Sequence, residues 1–277
     1  MYRYLRYIPK NHLSRLVGRL VHARLPQPLS RRLVSWFART YQIDVDEAGQ
    51  DLDRYPSIGH FFTRDLREGL RPIESDLVSP VDGVLRNFGT VRDGRLEQIK
   101  GKTYTVARFL GDEELAARFL DGSYFNLYLS PQDYHHIHTP VGGQIIRSVH
   151  IPGMLWPVND WSLANVDELF SINERVVTYI ESSYGLVAVV MIGATNVGKI
   201  SVVYDDFISN AASVDRPVVR PYAPPIPIEV GARLGTFHMG SSVVMLLEPG
   251  RLDLDRVRLE TGKKVRYGAA VLHSFGR

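Results

Sequence analysis

Ser241 stands in the phrase Phe237-His238-Met239-Gly240-Ser241-Ser242, directly after a glycine and ahead of a hydrophobic run. A serine so placed can act as a nucleophile if a base lies near it in the fold. Candidate bases crowd a second phrase, Tyr134-His135-His136-Ile137-His138-Thr139-Pro140, and a carboxylate stands in a third, Ser79-Pro80-Val81-Asp82-Gly83. Asn173-Glu174-Arg175 is a fourth. Taken singly, each has an ordinary structural meaning: Asp between Pro and Gly marks a turn, and Gly-Ser-Ser commonly leads into a strand. Other chemistries fit less well. Gly193-Ala-Thr-Asn-Val-Gly198-Lys199 has P-loop spacing, but Ile200 follows where Mg²⁺ needs Ser or Thr, and the pattern beyond it reads as strand. His135, His136 and His138 lack the surrounding carboxylates of a metal motif, so no metal site is expected. There is no G-x-S-x-G elbow. The chain has no cysteine, which removes thiolate nucleophiles, disulfides and cysteine-held metals.

In this order and at these distances, the four phrases resemble the phosphatidylserine decarboxylase proenzymes. The similarity runs from about Phe61 to Pro249 and includes Lys100-Gly101, Ser130-Pro131, Ile151-Pro152-Gly153 and Gly193-Ala194-Thr195. The resemblance implies a self-processing enzyme that converts phosphatidylserine to phosphatidylethanolamine and CO₂. Its cofactor would be a pyruvoyl group made from Ser241, acting through a Schiff base. Ser241 would attack the Gly240 carbonyl, and the chain would part between them into a β chain, 1–240, and an α chain, 241–277, that stay together as a heterodimer, with a homo-oligomer of these as a further assembly. His138 would be the base for that attack, Asp82 its orienting partner, and His135 the proton donor in turnover. His136 falls where the family varies and is expected to be a bystander. One departure is that Met239-Gly240-Ser241-Ser242 replaces the common Leu-Gly-Ser-Thr, which keeps a hydroxyl at 242.

The chemistry gives independent reasons for such residues. Loss of CO₂ from an α-amino acid leaves a carbanion that needs an electron sink; pyridoxal phosphate would need a Schiff-base lysine and a phosphate cradle, and the chain has few lysines and no convincing cradle. A serine hydroxyl at its ordinary pKa is a poor nucleophile and needs a base, itself held by an acid. Gly240, lacking Cβ, leaves its carbonyl open to attack. Two other readings fit the same residues: a decarboxylase of a related serine phospholipid, and a non-catalytic lipid-binding relative.

The elements that must position these residues read mainly as β. The 277 residues are 44% hydrophobic and 23% charged, the composition of an ordinary globular protein. β-branched runs bounded by Gly, Pro and Asp fall at 84–91, 95–99, 124–129, 143–151, 175–180, 186–194, 199–208, 226–230, 242–247 and 264–267. One helix is expected at about 105–120 and a short one within 44–75, whereas the proline-rich stretch 213–228 reads as an extended loop. The expected fold is α+β, a β-rich core of short, mostly antiparallel strands with an N-terminal amphipathic helical region.

That N-terminal region is chemically distinct. Residues 1–43 carry nine basic side chains and no acid, while the whole chain has a net charge of only +3. Leu13, Leu16, Val17, Leu20 and Val21 follow helical spacing, Pro26 and Pro28 stop the helix, and a second segment at 30–39 sets Leu33, Val34, Trp36 and Phe37 beside arginines. Such a region either packs on its own core or lies in an anionic membrane interface, and the absence of acid favours the membrane. The expectation is a peripheral protein on the cytoplasmic side of the cell membrane. Residues 1–43 would form its membrane-association region and 44–277 its catalytic domain, with no nucleic-acid partner.

Overall fold

The computed structural model describes residues 17–99, 102–195, 199–209, 216–238 and 242–273. Its centre is the most apolar part of the sequence. Gly185–Ile192 and Ser242–Leu247 are buried at every position, because they are the inner strands of a sheet covered on both faces. Successive side chains divide between the faces: Val187, Val189 and Met191 enter one cluster, and Leu186, Ala188, Val190 and Ile192 the other.

Thirteen strands are present among the described residues. They are β1 Gly83–Thr90, β2 Arg95–Ile99, β3 Lys102–Thr105, β4 Ser123–Tyr128, β5 His136–His138, β6 Gly143–Ile151 and β7 Arg175–Ser182. The rest are β8 Gly185–Ile192, β9 Ile200–Val202, β10 Val218–Ile228, β11 Arg233–Phe237, β12 Ser242–Leu247 and β13 Lys264–Val265. Eight form one antiparallel sheet in the order β10-β6-β7-β8-β12-β4-β1-β13. One face is closed by short helices that contribute Phe109, Leu115, Leu163 and Phe170. The other face carries the small sheet β5-β11-β9, through Ile137, Leu234, Phe237 and Ile200. A Cβ at Gly235 would lie 2.7 Å from the Ser201 carbonyl oxygen and 3.0 Å from Met191 Sδ, so glycine lets the two sheets close together there.

The α+β expectation holds, and three local readings are corrected. The proline-rich stretch is not a loop over 218–228 but an edge strand, paired with β6 on one side only. Proline is compatible with an edge, where a missing N–H costs no ladder bond, and the register slips between Pro221 and Ile226. The single helix at 105–120 is two, α3 Val106–Leu110 and α4 Glu113–Ala116, followed by a 3-10 turn. Gly111 breaks it at φ +64°, and Asp112 restarts it by accepting from Leu115 N. The run 199–208 keeps only three residues of strand, β9.

Residues 17–22 are helical, and after Pro26 comes α1, Gln27–Thr40. Leu13 and Leu16 lie outside the described residues. Val34 and Phe37 turn inward to join Ile43, Tyr55, Phe61 and Phe62 in a third cluster, so these two do not face outward with Trp36. Leu20, Leu29 and Trp36 remain exposed beside Arg31, Arg32 and Arg39. The short helix within 44–75 is α2, Ile58–Phe62, capped by the Ser57 side chain. No helix among the described residues is long and apolar enough to cross a membrane.

Candidate active site

β5 presents its residues alternately. Ile137 points into the core, while His136 and His138 point away from it. Just before the strand, the chain turns at Ser130-Pro131, where the Asp133 carboxylate accepts from Ser130 N and Oγ, both at 2.7 Å. This turn delivers His135 into the interior with no exposed surface. His135 Nδ1 donates to the Asp133 carbonyl at 2.8 Å, and its ring packs on Phe62 with centroids 3.9 Å apart. A carbonyl can only accept, so the proton is on Nδ1 and Nε2 carries a lone pair. That Nε2 is buried and meets no hydrogen-bond partner among the described residues. Burial, reinforced by the nearby Arg64 guanidinium, holds His135 well below the usual histidine pKa.

The backbone places His135 against the end of β11. Phe237 N donates to the His135 carbonyl at 3.0 Å, and β11 then leads toward Gly240-Ser241. Met239, Gly240 and Ser241 lie outside the described residues, and the chain is described again from Ser242. Val84 of β1 and Ser242 of β12 both pair with Tyr128 of β4. Asp82 therefore sits at the end of the sheet where the chain joins β12.

Asp82 is fixed by a buried guanidinium. Arg71 Nη2 approaches Asp82 Oδ2 at 2.6 Å and Arg71 Nε lies 3.1 Å from Oδ1, while Tyr267 N donates to Oδ1 at 2.9 Å. Arg71 also reaches Glu47 at 2.6 Å. Burial opposes its charge, but the two carboxylates outweigh burial and push its pKa up. Gly83 is required at the next position, since a Cβ there would lie 2.5 Å from the Tyr128 carbonyl oxygen.

His138 donates from Nδ1 to the Gly231 carbonyl at 2.7 Å, and its Nε2 lies 3.3 Å from the Tyr134 hydroxyl. Its ring stacks on Tyr267 at 3.8 Å and 5°. Burial first, with Arg233 adding to it, lowers its pKa to about 4. Among the described residues, Asp82 and His138 share no direct hydrogen bond; Tyr267 lies between them, bonded to one through its backbone and stacked on the other. His136 is held on both nitrogens, by Thr236 Oγ1 at 2.7 Å and the Thr63 carbonyl at 3.1 Å, which ties β5 to β11 and α2. His238 Nε2 meets Ser201 Oγ at 3.0 Å, and burial followed by His22 takes its pKa to about 4.

The remaining phrase is a clamp. Asn173 bonds Trp156 N, Trp156 O and Gly193 O, and the buried Arg175 donates to four carbonyls, those of Phe109, Ser171, Asn173 and Arg108. Arg71, Tyr134 and Tyr267 were not singled out by the sequence. Nothing local marks Arg71 among so many arginines. Tyr134 was at least visible, as the first residue of the histidine phrase.

The described residues thus gather the end of β11, the start of β12, a neutral buried histidine and a fixed carboxylate at one end of the sheet, and among them no group of three or more His, Asp or Glu could hold a metal ion. The sequence matches the family model for phosphatidylserine decarboxylase over residues 58–273. It is 49% identical over 269 residues to the phosphatidylserine decarboxylase proenzyme of Anaeromyxobacter sp. (strain K), covering 95% of this chain and 94% of that one. Similar proenzymes of Myxococcus xanthus (strain DK1622) and Shewanella pealeana (strain ATCC 700345 / ANG-SQ1) are 41% and 38% identical, over 91% and 96% of this chain and 90% and 96% of theirs. A match of this extent spans the strands, the histidine phrase and the Gly-Ser pair alike: the chain belongs to the phosphatidylserine decarboxylase family.

Proposed function

We propose that this chain is a self-processing, pyruvoyl-dependent decarboxylase that converts phosphatidylserine to phosphatidylethanolamine and CO₂. The observation that carries the reading is the buried lone pair on His135 Nε2, without a partner and in register with the strand that leads to Gly240-Ser241. Such an atom fits a site where a ketone must meet an amine and a proton must move. The pyruvoyl ketone, derived from Ser241, would condense with the substrate amine and take up the electron pair released as CO₂ departs.

The chain's own groups do the rest. In maturation, His138 Nε2 has a lone pair whose contact with Tyr134 Oη is long, so a serine hydroxyl can replace that contact and give up its proton. Asp82 supports the imidazolium that forms, its negative charge acting across Tyr267. In turnover, His135 Nε2 takes one proton from the substrate ammonium and returns it to the α-carbon once CO₂ has left. The amine product then collects a proton from solvent, which balances the reaction.

The substrate's two acyl chains keep it in a bilayer, so the enzyme must reach the interface. Leu20, Leu29 and Trp36, 65%, 46% and 54% exposed, can enter the acyl boundary while Arg31, Arg32 and Arg39 meet anionic lipid on the cytoplasmic face. The heterodimer of cleaved chains, and any homo-oligomer of it, belong to the same proposal. Denatured intact mass tests the reading. Two chains are expected, the smaller about 17 Da lighter than residues 241–277 because ammonia is lost. Ser241→Ala should give one uncut, inactive chain, and normal cutting of that variant would refute the assignment.

A further inference from the structure

Arg64 is only 4% exposed, yet among the described residues no carboxylate pairs with it. Its Nη2 donates to the carbonyls of Gln132 at 2.9 Å and Asp133 at 3.3 Å, whereas Nε and Nη1 are buried without partners. Asp82, Asp133 and Glu47 act on this charge without hydrogen-bonding it, and a buried guanidinium with two nitrogens unpaired is costly, which stability alone does not account for. Its neighbours point to a use. The guanidinium lies over Phe61 at 5.2 Å, and Phe62, next along α2, stacks on His135. The Asp133 carbonyl that receives Arg64 Nη2 is the one that receives His135 Nδ1–H. One segment, 61–64, therefore supplies the wall of the His135 ring, its nearest cation and a second hold on its hydrogen-bond acceptor.

We propose that Arg64 is a positioning residue for turnover, holding His135 in the Nδ1–H tautomer and driving the proton from Nε2 to the substrate carbon. The fixed carbonyl keeps the lone pair on Nε2 facing the reaction, which is the state needed to accept the ammonium proton. Once that proton arrives, guanidinium and imidazolium repel each other; Asp82, Asp133 and Glu47 act on Arg64, but none of their carboxylates hydrogen-bonds it, so the repulsion is only partly offset. The imidazolium becomes a stronger acid, which favours delivery to the α-carbon. Burial and the Arg64 charge act in the same direction on free His135, both keeping it neutral. The facing groups are few: Arg64, His136 and the Asp133 backbone influence His135, while the Asp133 carboxylate is turned to Ser130.

This inference rests on the turnover role given to His135 above, so the test includes both residues. Arg64→Gln, Arg64→Lys and His135→Gln are assayed as the cleaved full chain in mixed micelles of phosphatidylserine, with kcat and kcat/KM measured against pH. Arg64→Gln should still cut itself but lose about tenfold or more in kcat. The acid limb of its kcat/KM profile should move to higher pH, because the cation opposing protonation is gone. Arg64→Lys keeps the charge and loses the fork, so its limb should stay at the wild-type position with kcat lowered several-fold. An Arg64→Gln limb and kcat equal to wild type would overturn the proposal. If Arg64→Gln does not fold, Arg64→Lys decides, since a limb displaced to higher pH despite the retained charge would overturn it as well. His135→Gln separates the two ideas. If it cuts but does not decarboxylate, the underlying reading stands, and an unmoved Arg64→Gln limb then rejects Arg64 alone. If His135→Gln decarboxylates normally, the underlying reading fails.

Discussion

Asp82 and Glu47 hold the same guanidinium from two sides, and replacing each by its amide separates a structural charge from a working one. Arg71 and Asp82 have side chains only 3% and 10% exposed, so Asp82→Asn leaves a buried cation short of one partner. Breaking such a pair costs about 3–5 kcal/mol, and the retained Glu47 contact argues for the lower end, about 3 kcal/mol. Glu47 is 20% exposed and shared with Arg266, and Glu47→Gln should cost about 1 kcal/mol. The two variants should diverge further in self-cleavage. Asp82 favours the protonated form of His138, so its loss makes His138 a weaker base, whereas Glu47 is not among the charges that act on that ring. Stability would be read by urea denaturation in a Ser241→Ala background, where one uncut chain is followed, and cutting by gel time course with Ser241 intact. Asp82→Asn should be slow on both counts and Glu47→Gln close to wild type in cutting. Equal stability losses would refute the burial argument, and wild-type cutting by Asp82→Asn would refute its role in processing.

Further outcomes follow from the same geometry. His136, His138 and His238 have pKa values near 4 and His135 lies well below the usual value, so the unfolded chain binds protons the folded one does not as pH falls below about 6.5. Stability present above that pH should therefore fall between about 6.5 and 4, each histidine adding up to about 1.4 kcal/mol per pH unit, and His136→Gln should flatten the melting-temperature profile there. An unchanged profile would show that His136 is not held neutral. Leu29→Glu with Trp36→Glu should release the chain from anionic liposomes in a flotation assay while self-cleavage continues, because both side chains are exposed on α1. Co-flotation equal to wild type would move the membrane contact elsewhere. Gly83→Ala should cost about 2 kcal/mol or more in denaturant midpoint, since its Cβ meets the backbone of β4 rather than a movable side chain.

What could be read from the sequence follows from what local pattern can carry. β8 and β12 were visible because inner strands must be apolar along their length, and β6 and β7 because they carry β-branched runs. β10 was not, because an edge strand can keep five prolines' worth of turn signals nearby and still pair on one side. The break at Gly111 was legible in principle, as a glycine followed by a capping aspartate, but the apolar spacing of 105–120 bridged it. At the site, the phrases marked Asp82, His135 and His138, the histidines because they cluster and the aspartate because of the family resemblance. They did not reveal the roles of Arg64, Arg71 or Tyr267, which come from meeting residues far along the chain.

The position of β12 has a consequence for the history of the molecule. A cut between Gly240 and Ser241 would leave the shorter fragment with β12 between β8 and β4 in the middle of the large sheet, and with β13 at its margin against β1. Such a fragment is woven through its partner, and neither piece holds a complete sheet without the other. Such a cut would act as a ratchet. The uncut chain folds as a unimolecular process, but the mature pair, once unfolded, must find itself again by collision, and its recovery should worsen with dilution. On the proposed processing, each chain would have one opportunity to mature.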